Sequence, residues 1–302
     1  MASIDYPDEY EFIGSKNSYF SAKVRACLQY KRLPYVEITA NIEAMRRVRQ
    51  LTGDLIYPVV VCPDGAVLRD GCDIVAELER RHPERPVIPE DPVLHLAALL
   101  LELVADEFML QSSIGFRWHD DASYAWSRRM FSQISSERVR DPETRERGAE
   151  NGARVADTIR QGFGRRPESQ WDWSRQVTRE LCDRFEAHLQ HTPFFLGDRP
   201  CLADLGMMNA LYGHLYRDPG EICDYLHEQC ISVSLWIDHM LAAAGESDRG
   251  ELYIAPTLEA VLAAFGKAYA ERATELARNA NRELSGMETG SEIRTGANNP
   301  HY

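Results

Sequence analysis

Apolar and polar positions change period several times before residue 85. Residues 10–13 (YEFI) form a short β-prone run closed by Gly14. Over 18–31 the spacing becomes helical: Phe20, Val24, Cys27 and Leu28 share one face, and Ser18 stands where an N-cap belongs. Pro34 introduces a second strand at 35–38, and residues 41–51 read as a helix that Gly53 ends. Val59, Val60 and Val61 read as a buried strand, Pro63-Asp64-Gly65 as a turn and 66–68 as the returning strand. Ile74, Val75 and Leu78 then place a helix over 70–81. The order β-α-β-α-β-β-α requires a parallel crossover first and a hairpin afterwards, which is a thioredoxin-like α/β domain.

The pattern then changes for good. Four prolines within residues 82–92 (HPERPVIPEDP) cannot continue a helix and form a stiff connection. Helical spacing follows at 93–116, 122–139, 145–162, 170–191, 201–215, 220–242 and 256–284, with no alternating run between. The expected organisation is an α/β domain at 1–85, a linker at 86–92 and an all-α domain at 93–284. The tail at 285–302, polar and glycine-rich with little to bury, is expected to be disordered.

Composition narrows the function. A chain of 302 residues that is 44% hydrophobic and 27% charged is globular. A net charge of −13 excludes nucleic acid and an anionic membrane surface as partners, since both select for excess Lys and Arg. Arg46, Arg47 and Arg49 are too short a basic cluster to reverse that and read as a solvated helix face. The longest apolar cluster, at 94–101, contains His95 and runs into Glu102, so it reads as a core helix and not a membrane span. The acidic start MASIDYPDEYEF lacks the basic and apolar regions of a signal peptide. Seven widely spaced cysteines with no C-x-x-C pair fit reduced thiols in a cytoplasmic protein. His214 and His239 have no partner at metal spacing, so no metal is expected.

Three places can carry chemistry. Ser18 begins a helix, where free N–H groups and the helix dipole favour an anion; it is either a plain N-cap or a hydroxyl that donates to a bound thiolate. Tyr57-Pro58 enters a strand, and a cis bond there would expose the backbone of Tyr57 to an extended peptide, whereas a trans bond is the ordinary edge feature. Asp70-Gly71-Cys72 opens a helix whose N–H groups suit a carboxylate while Asp70 suits an ammonium; the plain alternative is an N-cap. Cys72 itself is either a low-pKa thiol or a small half-buried side chain.

These residues sit in blocks with a recognisable order. GSKNSYFSAKVRACLQYKRLPYVEI, then YPVVVCPDGAVLRDGCDIVAELERRHP, then PFFLGDRPCLADLGMMNALYGHLYRD resemble successive blocks of glutathione transferases of the Ser/Cys type, with ADEFMLQSSIGFRW as a shorter echo. The resemblance spans roughly residues 10–285 and implies the glutathione transferase fold, glutathione as co-substrate and a two-fold homodimer. By position, the resemblance implies that Ser18 is the catalytic residue, donating to the thiolate. It likewise implies that Tyr57, Pro58, Asp70 and Gly71 hold glutathione. Tyr19, Phe20, Phe116 and Trp118 suggest an acceptor pocket for an apolar or aromatic electrophile, with buried core aromatics as the alternative. Addition, substitution and reductive ether cleavage would all use this site. Gly71 in place of Ser, Tyr19 in place of Pro and Cys201 in place of Ser/Thr depart from the pattern. They motivate the alternative of a non-catalytic binding or scaffold protein on the same fold.

Overall fold

The computed structural model of the protein describes residues 9–164 and 167–287. Four strands, β1 (Tyr10–Gly14), β2 (Tyr35–Thr39), β3 (Val59–Val61) and β4 (Val67–Arg69), form one sheet in the order β2-β1-β3-β4. β1 pairs in parallel with β2 and antiparallel with β3, and β4 returns antiparallel on β3. Strand alternation sorts the side chains. Tyr10, Phe12 and Val60 join the main core with α1 (Tyr19–Tyr30) and α3 (Gly71–Arg81). Ile13 and Val59 face the other way, against Ala44 and Val48 of α2 (Ile42–Thr52). This is the thioredoxin-like domain expected from the pattern.

Past the proline-rich connection the chain is helical. Its helices are α4 (Pro92–Leu103), α5 (Leu110–Trp118), α6 (Asp121–Ser136), α7 (Pro142–Ile159) and α8 (Glu168–Leu189). They continue with α9 (Leu202–Ala210), α10 (Glu221–Gln229), α11 (Ile231–Leu241) and α12 (Pro256–Met287). α12 runs through residues 285–287; the remainder of the expected tail lies outside the described residues.

Two boundaries differ from the periodicity for physical reasons. The run expected as one helix at 93–116 is broken by a π-helical turn, Val104–Met109. That wide turn contains Ala105, whose carbonyl accepts from the Tyr19 hydroxyl at 2.6 Å. The run at 220–242 divides at Cys230, because the first N–H groups of α11 are capped from another helix. Ser232 and Val233 donate to the Glu186 carboxylate at 2.7 and 3.1 Å. Asp204 in α9 does similar work within the helical domain. It is fully buried and accepts from the N–H groups of Phe195 and Cys201 and from the Trp236 indole, each within 3.0 Å.

Ionic contacts lock the two domains together. Lys23 of α1 is buried yet meets Glu102 of α4 and Asp106 of the π turn, the latter at 2.8 Å. Within the first domain Lys31 pairs with Glu79 at 2.5 Å, and Glu79 fixes the connection by accepting from the Val87 and Ile88 N–H groups. The α6–α7 hairpin is tied to the first domain, since the Asn41 side-chain amide at the start of α2 donates to the Glu137 carbonyl at 2.8 Å.

Candidate active site at the start of α1

The residues that precede α1 are set by local hydrogen bonds and by the helical domain behind them. Ser18 is the N-cap of α1, with extended backbone (φ −91°, ψ 131°), and its Oγ accepts from the Ser21 N–H at 3.3 Å. Behind it, the π turn Leu211–Leu215 approaches so closely that a Cβ at Gly213 would stand 3.0 Å from Tyr19 Cα. A side chain there would force the two backbones apart by a few tenths of an ångström. Arg117 of α5, itself buried, ties this corner together. Its guanidinium forms a two-pronged pair with buried Asp218, and donates to the carbonyls of Asn17 at 2.8 Å and Gly213 at 3.2 Å.

Tyr57 and Asn17 line one cleft, so the entrance to β3 and the start of α1 meet there. The Tyr57–Pro58 bond is cis. Among the described residues, neither the N–H nor the C=O of Tyr57 has a hydrogen-bond partner. Burial pushes the Tyr57 phenol above its usual range, against the opposing pull of the Arg117 charge. On the Pro58 side an open groove runs along Asp54, Arg69, Asp70 and Asp73.

Asp70 lies beside this groove with φ 66° and ψ 134°, a conformation that costs a non-glycine residue about 1–3 kcal/mol and persists where its surroundings enforce it. Its carboxylate caps α3, accepting from Cys72 N–H at 2.8 Å. Gly71 is buried next to α1: a Cβ there would meet the Lys23 side chain at 3.6 Å and the Phe20 carbonyl at 4.0 Å, ordinary contact distances. Tyr57 thus shares a cleft with Asn17, the residue before Ser18, while Pro58 and Asp70 share the neighbouring groove and Gly71 packs against α1.

The four aromatic pocket candidates do not share one cavity. Tyr19 is buried with its hydroxyl committed to Ala105, and burial, then the Asp106 charge, holds that phenol well above its usual range. It is a poor donor to anything else. Phe20 is exposed and packs edge-on against Tyr19. Trp118 is buried under the Phe131 ring. Phe116 packs on Trp171, and both line a separate cavity of about 640 Å³ with His214 and Asp218.

The space beside Ser18 is walled by other residues. The cleft that Asn17 and Tyr57 share holds about 300 Å³ between α2, the 55–57 segment and the α6–α7 hairpin, with Ile42, Met45, Leu55, Phe131, Ile134 and Val155 on its apolar walls. Sequence periodicity assigned Phe131, Ile134 and Val155 to helices but gave no hint that they face α2. Arg46 and Arg49 also line it, whereas the intervening Arg47 pairs with Glu11 on β1.

Cys72 is exposed at the start of α3, yet its surroundings disfavour a thiolate. Burial, partly opposed by the Lys23 charge, pushes its thiol up to about 12. Its sulfur lies near the carboxylates of Glu102 and Asp106, a trio with ligand atoms inside 4.8 Å of one another. The Lys23 ammonium already bonds both carboxylates and stands 3.2 Å from the sulfur. Burial alone would lower that lysine, but Asp106 and Glu102 outweigh it and hold the ammonium above its usual range.

A thioredoxin-like sheet carrying a cis-proline beside a helix N-terminus, joined to an all-helical domain, defines the glutathione transferase class of fold. Comparison with known proteins agrees. Residues 12–86 match the family described as glutathione S-transferase, N-terminal domain. The solved β-etherase LigF from Sphingobium sp. strain SYK-6 is similar in fold, at 19% identity and a TM-score of 0.53, over 83% of this chain and 98% of that one. Glutathione transferase GSTFuA3 from Phanerochaete chrysosporium gives 14% identity and a TM-score of 0.52, over 78% of this chain and 97% of that one. A search of curated proteins gives no match. Residues 12–86 thus carry a glutathione S-transferase N-terminal domain, and the chain as a whole has the glutathione transferase fold.

Proposed function

We propose that the protein is a glutathione-dependent transferase or lyase of the serine type, in which Ser18 donates a hydrogen bond to the glutathione thiolate. The observation that carries this reading is the placement of Ser18 at the α1 N-terminus, next in sequence to Asn17, which lines a cleft together with Tyr57. Free N–H groups and the helix dipole favour a thiolate there over a thiol. The neighbouring hydroxyl, on Tyr19, is already spent on Ala105. The unpartnered N–H and C=O of Tyr57 suit an extended peptide pairing as a short strand would. Asp70 and the start of α3 lie where an ammonium and a carboxylate of the same peptide would be met. The acceptor would be an apolar or aromatic electrophile in the cleft under Phe131 and Val155, and the thiolate would attack it from the Ser18 side.

Two features support the setting. Leu96, Leu99, Leu100 and Leu103 form an apolar stripe on α4 that remains 37–57% exposed, a surface suited to a second copy of the chain in a homodimer. Seven free cysteines suit a reducing, cytoplasmic compartment. Among the described residues, no helix is long and apolar enough to cross a membrane.

The test is glutathione titration and turnover on a panel of electrophiles for the wild type, Ser18→Ala and Gly71→Ser. Ser18→Ala should keep binding but lower the rate, and Gly71→Ser should tighten binding. A serine fits there without clash, and a charge-assisted bond to a carboxylate contributes ~1–3 kcal/mol. Absence of saturable glutathione binding in both the wild type and Gly71→Ser would favour the non-catalytic binding protein instead. Unchanged turnover in Ser18→Ala would remove Ser18 from the mechanism.

A further inference from the structure

The cleft between α2 and the α6–α7 hairpin is apolar in its walls and cationic at its rim. Arg46 and Arg49 both line it, both are exposed, and among the described residues neither side chain makes an ion pair or a hydrogen bond. Their neighbour Arg47 shows what the same helix does with a cation that has a structural task, since it pairs with Glu11. In a chain of net charge −13, carboxylates to pair with are plentiful, so two unpaired guanidinium groups on one cleft are a local reversal of sign. Asn17 adds a second polar demand: its buried Oδ1 has no partner and the residue lines the same cleft.

We infer that the occupant of this cleft is an amphipathic anion, with an aromatic or alkyl body, a carboxylate held by Arg46 and Arg49, and a hydrogen-bond donor that satisfies Asn17. This rests on the reading of the cleft as the acceptor site and narrows the acceptor to acidic apolar compounds. A volume of about 300 Å³ admits one aromatic ring with a short chain. A guanidinium fork matches a carboxylate in two-pronged geometry, so the pair selects charge as well as shape. Glutathione also has a carboxylate at one end, and the experiment separates the two sources.

The probes are p-hydroxyphenylpropionate and its neutral counterpart p-hydroxyphenylpropanol, titrated calorimetrically at low salt without glutathione. The acid should bind roughly tenfold more tightly than the alcohol, the combined effect of two exposed ion pairs. The preference should vanish in Arg46→Gln/Arg49→Gln, whose exposed side chains can be replaced without disturbing the core. It should survive saturating glutathione. Equal binding of acid and alcohol would overturn the inference, as would a preference that persists in the double variant. Loss of acid binding on adding glutathione would also overturn it, by assigning the arginines to the peptide's carboxylate. None of these outcomes depends on Ser18, so the mechanism can stand or fall separately.

Discussion

Replacing Arg117 tests how the helical domain holds the active-site corner. In Arg117→Met the buried Asp218 carboxylate loses its partner, and the carbonyls of Asn17 and Gly213 lose their donor. Removing one member of a buried ion pair costs about 3–5 kcal/mol, because the remaining charge stays desolvated. Asn17 is only half-buried, so water replaces part of its loss and adds little to that figure. The expected result is therefore a loss of ~3–5 kcal/mol in urea denaturation followed by circular dichroism, a large share of the ~5–15 kcal/mol typical of a folded protein.

Stability and positioning are then separated by a second substitution. Arg117→Met/Asp218→Leu removes both charges, and apolar replacement of a buried pair is often close to neutral, so at least ~2 kcal/mol should return. The anchor on Asn17 does not return. If that anchor positions Ser18, the double variant should still react about tenfold more slowly in the glutathione assay, since small misplacements of a reacting group are costly. A single variant within ~1 kcal/mol of wild type would refute the ion-pair argument. A double variant that is stable and fully active would refute the anchoring role.

Two further outcomes follow from packing and titration. Gly152→Ala places a Cβ 2.2 Å from the Phe131 carbonyl oxygen, so α6 and α7 must separate and thermal denaturation should show a loss of ~1–3 kcal/mol. Gly266→Ala, with nothing within 4 Å, should instead gain up to ~1 kcal/mol from helix propensity, and a matching loss there would point to a general intolerance of alanine. Burial, then the Arg117 charge, holds His214 well below the usual histidine range, and burial also lowers His188. The unfolded chain therefore takes up these protons first as pH falls. The stability from neutral His214 is present above about pH 6.5 and lost as pH drops toward its folded value, by up to ~1.4 kcal/mol per pH unit. His214→Phe should flatten the decline between about pH 6.5 and 5, and an unchanged slope would show that other groups carry it.

The first domain was legible because each of its signals is local. Strand length, the Pro63-Asp64-Gly65 turn and caps at Ser18 and Asp70 act within a few residues, and the structure places them as read. What could not be read is what joins distant segments. Arg117 and Asp218 lie 101 positions apart, and each alone looks like a surface charge. Arg46, Arg47 and Arg49 looked alike on one helix turn, yet their fates differ because Glu11 lies beside one and the α6–α7 hairpin brings the cleft to the others. The packing partners of the aromatic candidates were hidden for the same reason. Spacing put Phe116 and Trp118 on one helix end, but Trp171 and Phe131 had already taken their faces.

The division of labour between the domains bears on specificity. On the proposed reading the first domain supplies Ser18, Tyr57-Pro58 and Asp70 to a bound thiol peptide. The α6–α7 hairpin supplies Phe131, Ile134, Asn151 and Val155 to the cleft from a different part of the chain. Gly148 and Gly152 let its helices pack closely, since a Cβ at either would stand 2.6 or 2.2 Å from the carbonyl oxygen of Ser135 or Phe131. It is attached to α2 by the bond from Asn41 to Glu137, close to where Ile42 and Met45 enter the same cleft. Changes in the hairpin would therefore reshape what the cleft accepts while leaving Ser18 and its N–H groups in place, and changes at Arg117 would do the reverse. On the proposed reading, acceptor choice and thiol activation are thus held by separate contacts of one helical domain.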